Sequence, residues 1–426
     1  MATSPLRTVI TGVGLITPVG LGRDAAWQGI LAGKSAVRRI TSFDPSGLEV
    51  QIGAELQGFD AKNHVDKKDR KQLRTMGKAI QIGFVAGSLA MKDAGLTPEN
   101  FNPLRLGISF GAATIASELD ELTYAATKTT LPGFKEVNMK TWGTDGMPMM
   151  PPLWLLKYLP NFAAAHVSIL NNAQGPSNSI TMGDVAGNLA IAEGRRIIQR
   201  GKADIMLTGG SDSRINPLSI TRFQMFYPLS RQNDHPETAC RPFDARQTGI
   251  VLGEGAGIIV LEELEHAKKR GATIHAEVVG TGDSCDYDLD GTGIAQAINA
   301  ALKSAQIAPN DVDHVIAQGY GETKLDTAEV KGILAVFGKQ CPPVLAIKGM
   351  IGNTGAASGG IETAISALAL QSGTIPASIN CEQPFPAMTL PILTRNKPVS
   401  KDYSLKICFS DMGQCSVVVL KRWHGA

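Results

Sequence analysis

The chain has 426 residues, with 41 Lys plus Arg against 39 Asp plus Glu, a net charge of +2, 43% hydrophobic residues and 46 glycines. That balance excludes a disordered chain, and it leaves no strongly basic footprint for nucleic acid. Its 6 scattered cysteines form no CxxC pair, so neither a disulfide framework nor a zinc site is indicated.

Taken in chain order, short β-branched runs alternate with longer Ala-rich helical patterns, which argues for α/β layering around a largely parallel sheet. The opening segment, RTVITGVGLI, reads as a strand over Thr8–Val13, and nothing before it has the form of a cleaved leader. A helix follows over Met76–Ala94, with Ile80, Phe84, Gly87 and Met91 on one face at helical spacing. Leu106–Phe110 is the next strand. The stretch from about 111 to 170 breaks the rhythm. It contains GTDGMPMMPPLWLLKYLPNF, rich in proline and large apolar residues, and reads as a cap, a subunit interface or a lid. A helix over Val185–Gln199 carries small residues at Ala186, Gly187 and Ala190, which permit close approach to a neighbouring backbone. Strands at Asp204–Thr208 and Ile258–Leu261 complete one half, over residues 1–261. The second half, 262–426, has strands at His314–Ala317, Val344–Ile347 and Leu405–Phe409. Its helices lie at Gly293–Ala305, Thr327–Phe337 and Gly360–Gln371. No run reaches the roughly 18 apolar residues of a membrane span, and a cytoplasmic, reducing location fits the cysteine usage.

Three glycine-rich turns carry the candidate chemistry. In GPSNSITMGDVAGNLAIAEG a β run passes through Met182-Gly183-Asp184 straight into a helix. A residue at such an elbow meets unpaired helix N–H groups, where negative charge is favoured. Asp184 there is either a simple helix cap or a functional carboxylate. The second turn, HVIAQGYGETKLDTAEVKG, places Gln318 at a strand end. The third, VLAIKGMIGNTGAASGGIETAISALAL, contains Lys348, Asn353 and Glu362. Loops at the carboxyl ends of parallel strands are where α/β proteins bind ligands. On position alone, Lys348 reads equally well as a surface lysine.

These segments, in this order and nearly end to end, resemble the β-ketoacyl synthase family of condensing enzymes. TGVGLITPVG, PNFAAAHVSILNNAQGPSNSIT, ADIMLTGGSDS, KGMIGNTGAASGGIE and SVVVLKR all carry the likeness, and CRPFDARQTGIVLGEGAGIIVLEELEHAKKRGA is its most specific stretch. The resemblance implies a thiolase-like α/β fold, two pseudo-repeated αβαβα halves in a five-layered core, and a dimer with its interface beside the active site. It implies no cofactor or metal. In the family an elbow cysteine takes an acyl chain from acyl carrier protein, two histidines assist decarboxylation of the malonyl extender, and a lysine and a glutamate support them.

On that pattern Asp184 stands at the cysteine position, and Gln318 and Asn353 stand at the two histidine positions, while Lys348 and Glu362 are retained. The family's glycine-flanked aromatic gate corresponds to Ser410, Asp411, Met412 and Gly413, with Asp411 in the place of the aromatic. The loop within GTGDSCDYDLDGTG is shorter than its counterpart. A carboxylate would form a labile mixed anhydride rather than a thioester, and two amides cannot shuttle protons near neutral pH. The resemblance therefore implies a non-condensing subunit of the chain-length-factor type, in fatty acid or polyketide biosynthesis. Its partners would be acyl carrier protein and an active synthase homologue as heterodimer, or a second copy as homodimer. The alternatives are an acyltransferase or hydrolase that uses Asp184 on acyl thioesters, and a scaffold without acyl ligand. Cys408 and Cys415 are weaker candidates for a displaced nucleophile. Lys67, Lys68, Arg70 and Lys71 form a basic segment suited to an acidic carrier protein, or simply a solvated charged loop.

Overall fold

The computed structural model describes residues 5–133, 135–385 and 390–425. Its principal strands are β1 (Thr8–Thr17), β2 (Leu106–Ala112), β3 (Ser177–Thr181), β4 (Ile205–Ser213), β5 (Glu254–Glu263), β6 (Ala276–Cys285), β7 (Val312–Ile316), β8 (Val344–Leu345), β9 (Tyr403–Phe409) and β10 (Gln414–Arg422). Its principal helices are α1 (Lys78–Asp93), α2 (Leu119–Thr129), α3 (Phe162–Leu170), α4 (Ala186–Gln199), α5 (Pro217–Phe226), α6 (Thr292–Ala305), α7 (Thr323–Phe337) and α8 (Ser358–Ser372). Every strand and helix anticipated above is present within a few residues of its expected ends. Among these principal strands, the one not anticipated is β6, whose alternation is interrupted by Gly280 and Gly282, both pressed against α6.

The strands form one sheet in the order β8-β7-β9-β10-β6-β1-β5-β4-β2-β3. It is mixed, not largely parallel. Pairing is parallel for β3-β2-β4 and for β8-β7-β9, where helices make the crossovers. It is antiparallel for β4-β5-β1 and for β9-β10-β6. The two runs have the same pattern and meet only where Val9 and Ile10 of β1 pair with Glu277 and Ala276 of β6. The chain thus repeats one five-stranded unit. Helices α4 and α8 lie between the two arrays, α1 and α3 cover the first, and α6 and α7 cover the second. That is the layering expected from the resemblance.

Small residues make the central layer possible. A Cβ at Gly360 of α8 would run into the carbonyl of Gly257 on β5, and a Cβ at Gly187 of α4 would lie 2.7 Å from the Ala356 carbonyl. Backbones touch there, so both helix N-termini are drawn to the junction of the arrays. On α1, Ile80, Phe84, Gly87 and Met91 are buried as their spacing predicts. The irregular stretch after β2 contains α2, several short helical turns and α3. It leaves Tyr124, Met139, Met147, Met149, Leu153, Leu155 and Ile169 exposed. Strand β3 ends the sheet, so its outer edge carries no strand among the described residues.

Candidate active site

Asp184 follows β3 through Gly183, whose positive φ of 59° is a conformation that glycine adopts without strain. The chain then turns through Gly183–Val185 into α4, so Asp184 is aimed inward and is only 7% exposed. Its carboxylate does not cap the helix. One oxygen pairs with Nη2 of Arg214, and the other accepts from Nδ2 of Asn353 at 2.8 Å. Arg214, just past β4, also donates from Nε to Asp212 at 3.0 Å. Its guanidinium lies over the Phe223 ring, 4.7 Å from the centroid.

These contacts set the charge state. Burial works against ionisation of Asp184, but the Arg214 guanidinium and the Asn353 amide more than offset it and hold its pKa below the ordinary carboxylate value. Burial dominates at Asp212, whose pKa is raised. Arg214 stays charged despite burial because two carboxylates face it.

Asn353 is held firmly. Its backbone N–H donates to Val251 at 2.7 Å, its carbonyl accepts from Gly253, and its Oδ1 accepts from Gly355 N–H at 3.2 Å. That leaves Nδ2 to face Asp184. Gln318 lies farther in and is wholly buried. Its Oε1 accepts from Lys406 Nζ at 3.3 Å and from Cys408 Sγ at 3.2 Å, while its Nε2 has no partner. Its backbone N–H and that of Gly319 donate to Glu329 on α7. Lys348 is not a surface lysine. It is fully buried and donates to Glu362 Oε1 at 2.7 Å, and the other oxygen of Glu362 pairs with Lys406.

A cavity of about 410 Å³ opens over Asp184. Asp184, Asn353, Arg214 and Asp212 face it, together with Tyr227, Tyr320, Asp411 and Met412. Gln318, Lys348, Glu362 and Gly413 do not line it. The Tyr320 hydroxyl donates to the Phe409 carbonyl at 2.6 Å, beside the Asp184 carboxylate. The two loops singled out in the sequence meet: Asp286 N–H donates to the Gly413 carbonyl at 2.7 Å. Gly413, with a φ of 89°, has no room for a Cβ against Asp286.

Neither thiol is poised to react. Cys408 lies against the Asp184 carbonyl at 3.1 Å, but it and Cys415 are buried, and burial pushes both pKa values up to about 12. The elbow and the third turn bring Asp184 and Asn353 together at the cavity, whereas Gln318, from the second turn, lies behind it. Sequence reasoning missed Arg214, Asp212, Tyr320 and Lys406. Lys406 had a visible signal, a lone lysine inside the apolar run SLKICF.

The family profile described as the N-terminal domain of β-ketoacyl synthase matches residues 7–267, and that of its C-terminal domain matches residues 274–382. The chain belongs to the β-ketoacyl synthase family. A 3-oxoacyl-[acyl-carrier-protein] synthase 2 from Vibrio cholerae serotype O1 is 33% identical, covering 98% of this chain and 100% of the relative. The solved ishigamide ketosynthase/chain length factor superposes with a TM-score of 0.85 at 28% identity, covering 98% of this chain and 100% of that one. A ketosynthase bound to a hexaketide, solved with its type II polyketide acyl-carrier protein as AntDE:AntF, gives a TM-score of 0.85 at 27% identity over the same shares. The chain is thus a ketosynthase-like protein of fatty acid or polyketide synthesis with the thiolase-like fold. No helix among its described residues is long and apolar enough to cross a membrane.

Proposed function

We propose that this β-ketoacyl synthase relative is a non-condensing subunit. It binds acyl chains and acyl carrier protein beside an active, cysteine-containing synthase. The observation that carries this reading is the state of Asp184, an ionised carboxylate with both oxygens engaged by Arg214 and Asn353. Such a group is a weak nucleophile, and any acyl adduct on it would be a mixed anhydride. Gln318 and Asn353 have no proton to exchange near neutral pH. The same engagement argues against Asp184 as the centre of an acyltransferase or hydrolase.

Two surfaces suit the partners. The free edge of β3 and the exposed apolar residues of the stretch after β2 suit a homologous subunit, because an open strand edge pairs readily with a matching one. The basic segment starting at Lys67 suits an acidic carrier protein. Six free cysteines fit the reducing cytoplasm.

The test is an elongation assay with acyl- and malonyl-carrier protein. The purified chain alone is expected to form no product and to consume no thioester. With its cysteine-containing partner it should co-purify as a complex that condenses. Thioester consumption by the chain alone, abolished in Asp184→Ala, would overturn this reading.

A further inference from the structure

Two short 3-10 turns ahead of α1, Ala61–Asn63 and Lys67–Thr75, enclose a cleft of about 690 Å³ that shares no lining residue with the cavity over Asp184. Its floor is fixed. Ala61, Leu73 and Met76 are buried in the apolar cluster around α1, and Gln81 of α1 donates to the carbonyls of Leu73 at 3.3 Å and Met76 at 3.0 Å. Its walls carry four cations, Lys62, Arg70, Lys71 and Arg74, against one carboxylate, Asp60. One oxygen of Asp60 already accepts from the Lys62 backbone N–H at 2.9 Å. Asp66 and Asp69 belong to the same segment but do not line the cleft. Among the described residues, none of the four cationic side chains has a hydrogen-bond or ion-pair partner.

We infer that this cleft binds a diphosphate group, carried by free inorganic diphosphate or by a nucleotide. Four like charges gathered in one concavity repel one another, and no protein carboxylate pairs with them. A diphosphate brings several negative charges and a compact set of acceptor oxygens into that space. The guanidinium forks of Arg70 and Arg74 suit phosphate oxygens taken in pairs, and Lys62 and Lys71 supply point charges. The volume lies within the roughly 300–1,000 Å³ of small-molecule sites. An acidic protein surface fills such a concavity less well, because its carboxylates are single and spread over a convex face. Lys71 belongs both to the cleft and to the basic segment suited to a carrier protein, so an occupied cleft lowers the affinity for that partner. The inference does not depend on whether the chain condenses.

The test is isothermal titration of the full chain with inorganic diphosphate, inorganic phosphate and ADP, in about 0.15 M salt and without divalent cations. Diphosphate is expected to saturate a single site and to bind about tenfold more tightly than phosphate. Arg70→Ala/Arg74→Ala should weaken diphosphate binding about tenfold. Lys67→Ala/Lys68→Ala removes equal charge from the same segment outside the cleft and should weaken it by no more than about twofold. Both variants alter exposed side chains, and thermal melts matching the parent will report that they are folded. ADP binding more tightly than inorganic diphosphate supports the inference and makes a nucleotide the source. Equal or weaker ADP binding supports it and makes inorganic diphosphate the source. Binding that never saturates, equal affinity for phosphate and diphosphate, or equal losses in the two double variants overturns the inference, because each reports diffuse surface charge and no built cleft.

Discussion

Arg214 is buried among three groups that need it: Asp184, Asp212 and the Phe223 ring. Removing a buried partner costs more than the pair is worth, because it strands the opposite charges. Arg214→Met is therefore expected to lower stability by about 3–5 kcal/mol, read as a shift in the urea midpoint at unchanged slope. Asp184→Cys should not create a condensing enzyme. It leaves Gln318 and Asn353 in place of proton-exchanging groups, so product formation in the elongation assay should stay at background. The acid limb gives an independent check on Asp184. Its pKa is lowered from 3.8 in the folded state, so its stabilising effect is complete above that value and is lost as pH falls through the lower, folded one. Asp184→Asn should flatten the stability profile in that window, and an unchanged acid limb would mean that Arg214 does not hold the carboxylate ionised. The elbow residue itself was legible because glycine, aspartate and a small-residue helix sit side by side in sequence. Its partners were not. Arg214 lies 30 positions away and Asn353 lies 169, and no local pattern encodes a contact made only when two arrays close on each other.

At the level of elements, helices were more legible than the direction of strands. Amphipathic spacing marks α1 whatever it packs on, whereas β4, β5 and β10 read as apolar runs in either orientation. Parallel and antiparallel neighbours bury such runs equally well, so alternation with helices suggested more parallel pairing than the sheet has. What the sequence did encode is close approach. Gly360 on α8 rests on Gly257 of β5, and neither tolerates a Cβ without moving backbone. Gly360→Ala is expected to destabilise by about 3 kcal/mol, at the upper end of overpacking costs, because the obstructing atoms are main chain. Gly47→Ala is the control, since its surroundings are open and its φ is ordinary. Chemical denaturation of the pair should show a large loss for the first and almost none for the second. Equal losses would mean that α8 can slide and that its grip on Glu362 and the loop bearing Asn353 is looser than the geometry implies.

At the scale of the whole molecule, the site stands where the two repeated arrays meet. The first array supplies Asp184, Asp212 and Arg214, and the second supplies Asn353, Tyr320 and Cys408. A chain with so little net charge can still present a charged face. Lys62, Lys67, Lys68, Arg70, Lys71 and Arg74 are all exposed, and among the described residues none forms an ion pair. Asp60, Asp66 and Asp69 dilute them but leave an excess of positive charge on a segment ordered as the 3-10 turn Lys67–Thr75. Unpaired surface cations contribute little to folding, yet they raise encounter rates and affinity for an acidic partner. The double variant Lys68→Glu/Lys71→Glu should therefore leave thermal stability unchanged and weaken binding of an acidic carrier protein about tenfold at low salt. Raising ionic strength to about 0.5 M should erase most of the difference, because charges separated by more than a few ångströms are then screened. If the variant binds as tightly as the parent at low salt, or if the loss persists at high salt, the carrier protein does not dock through this charged face.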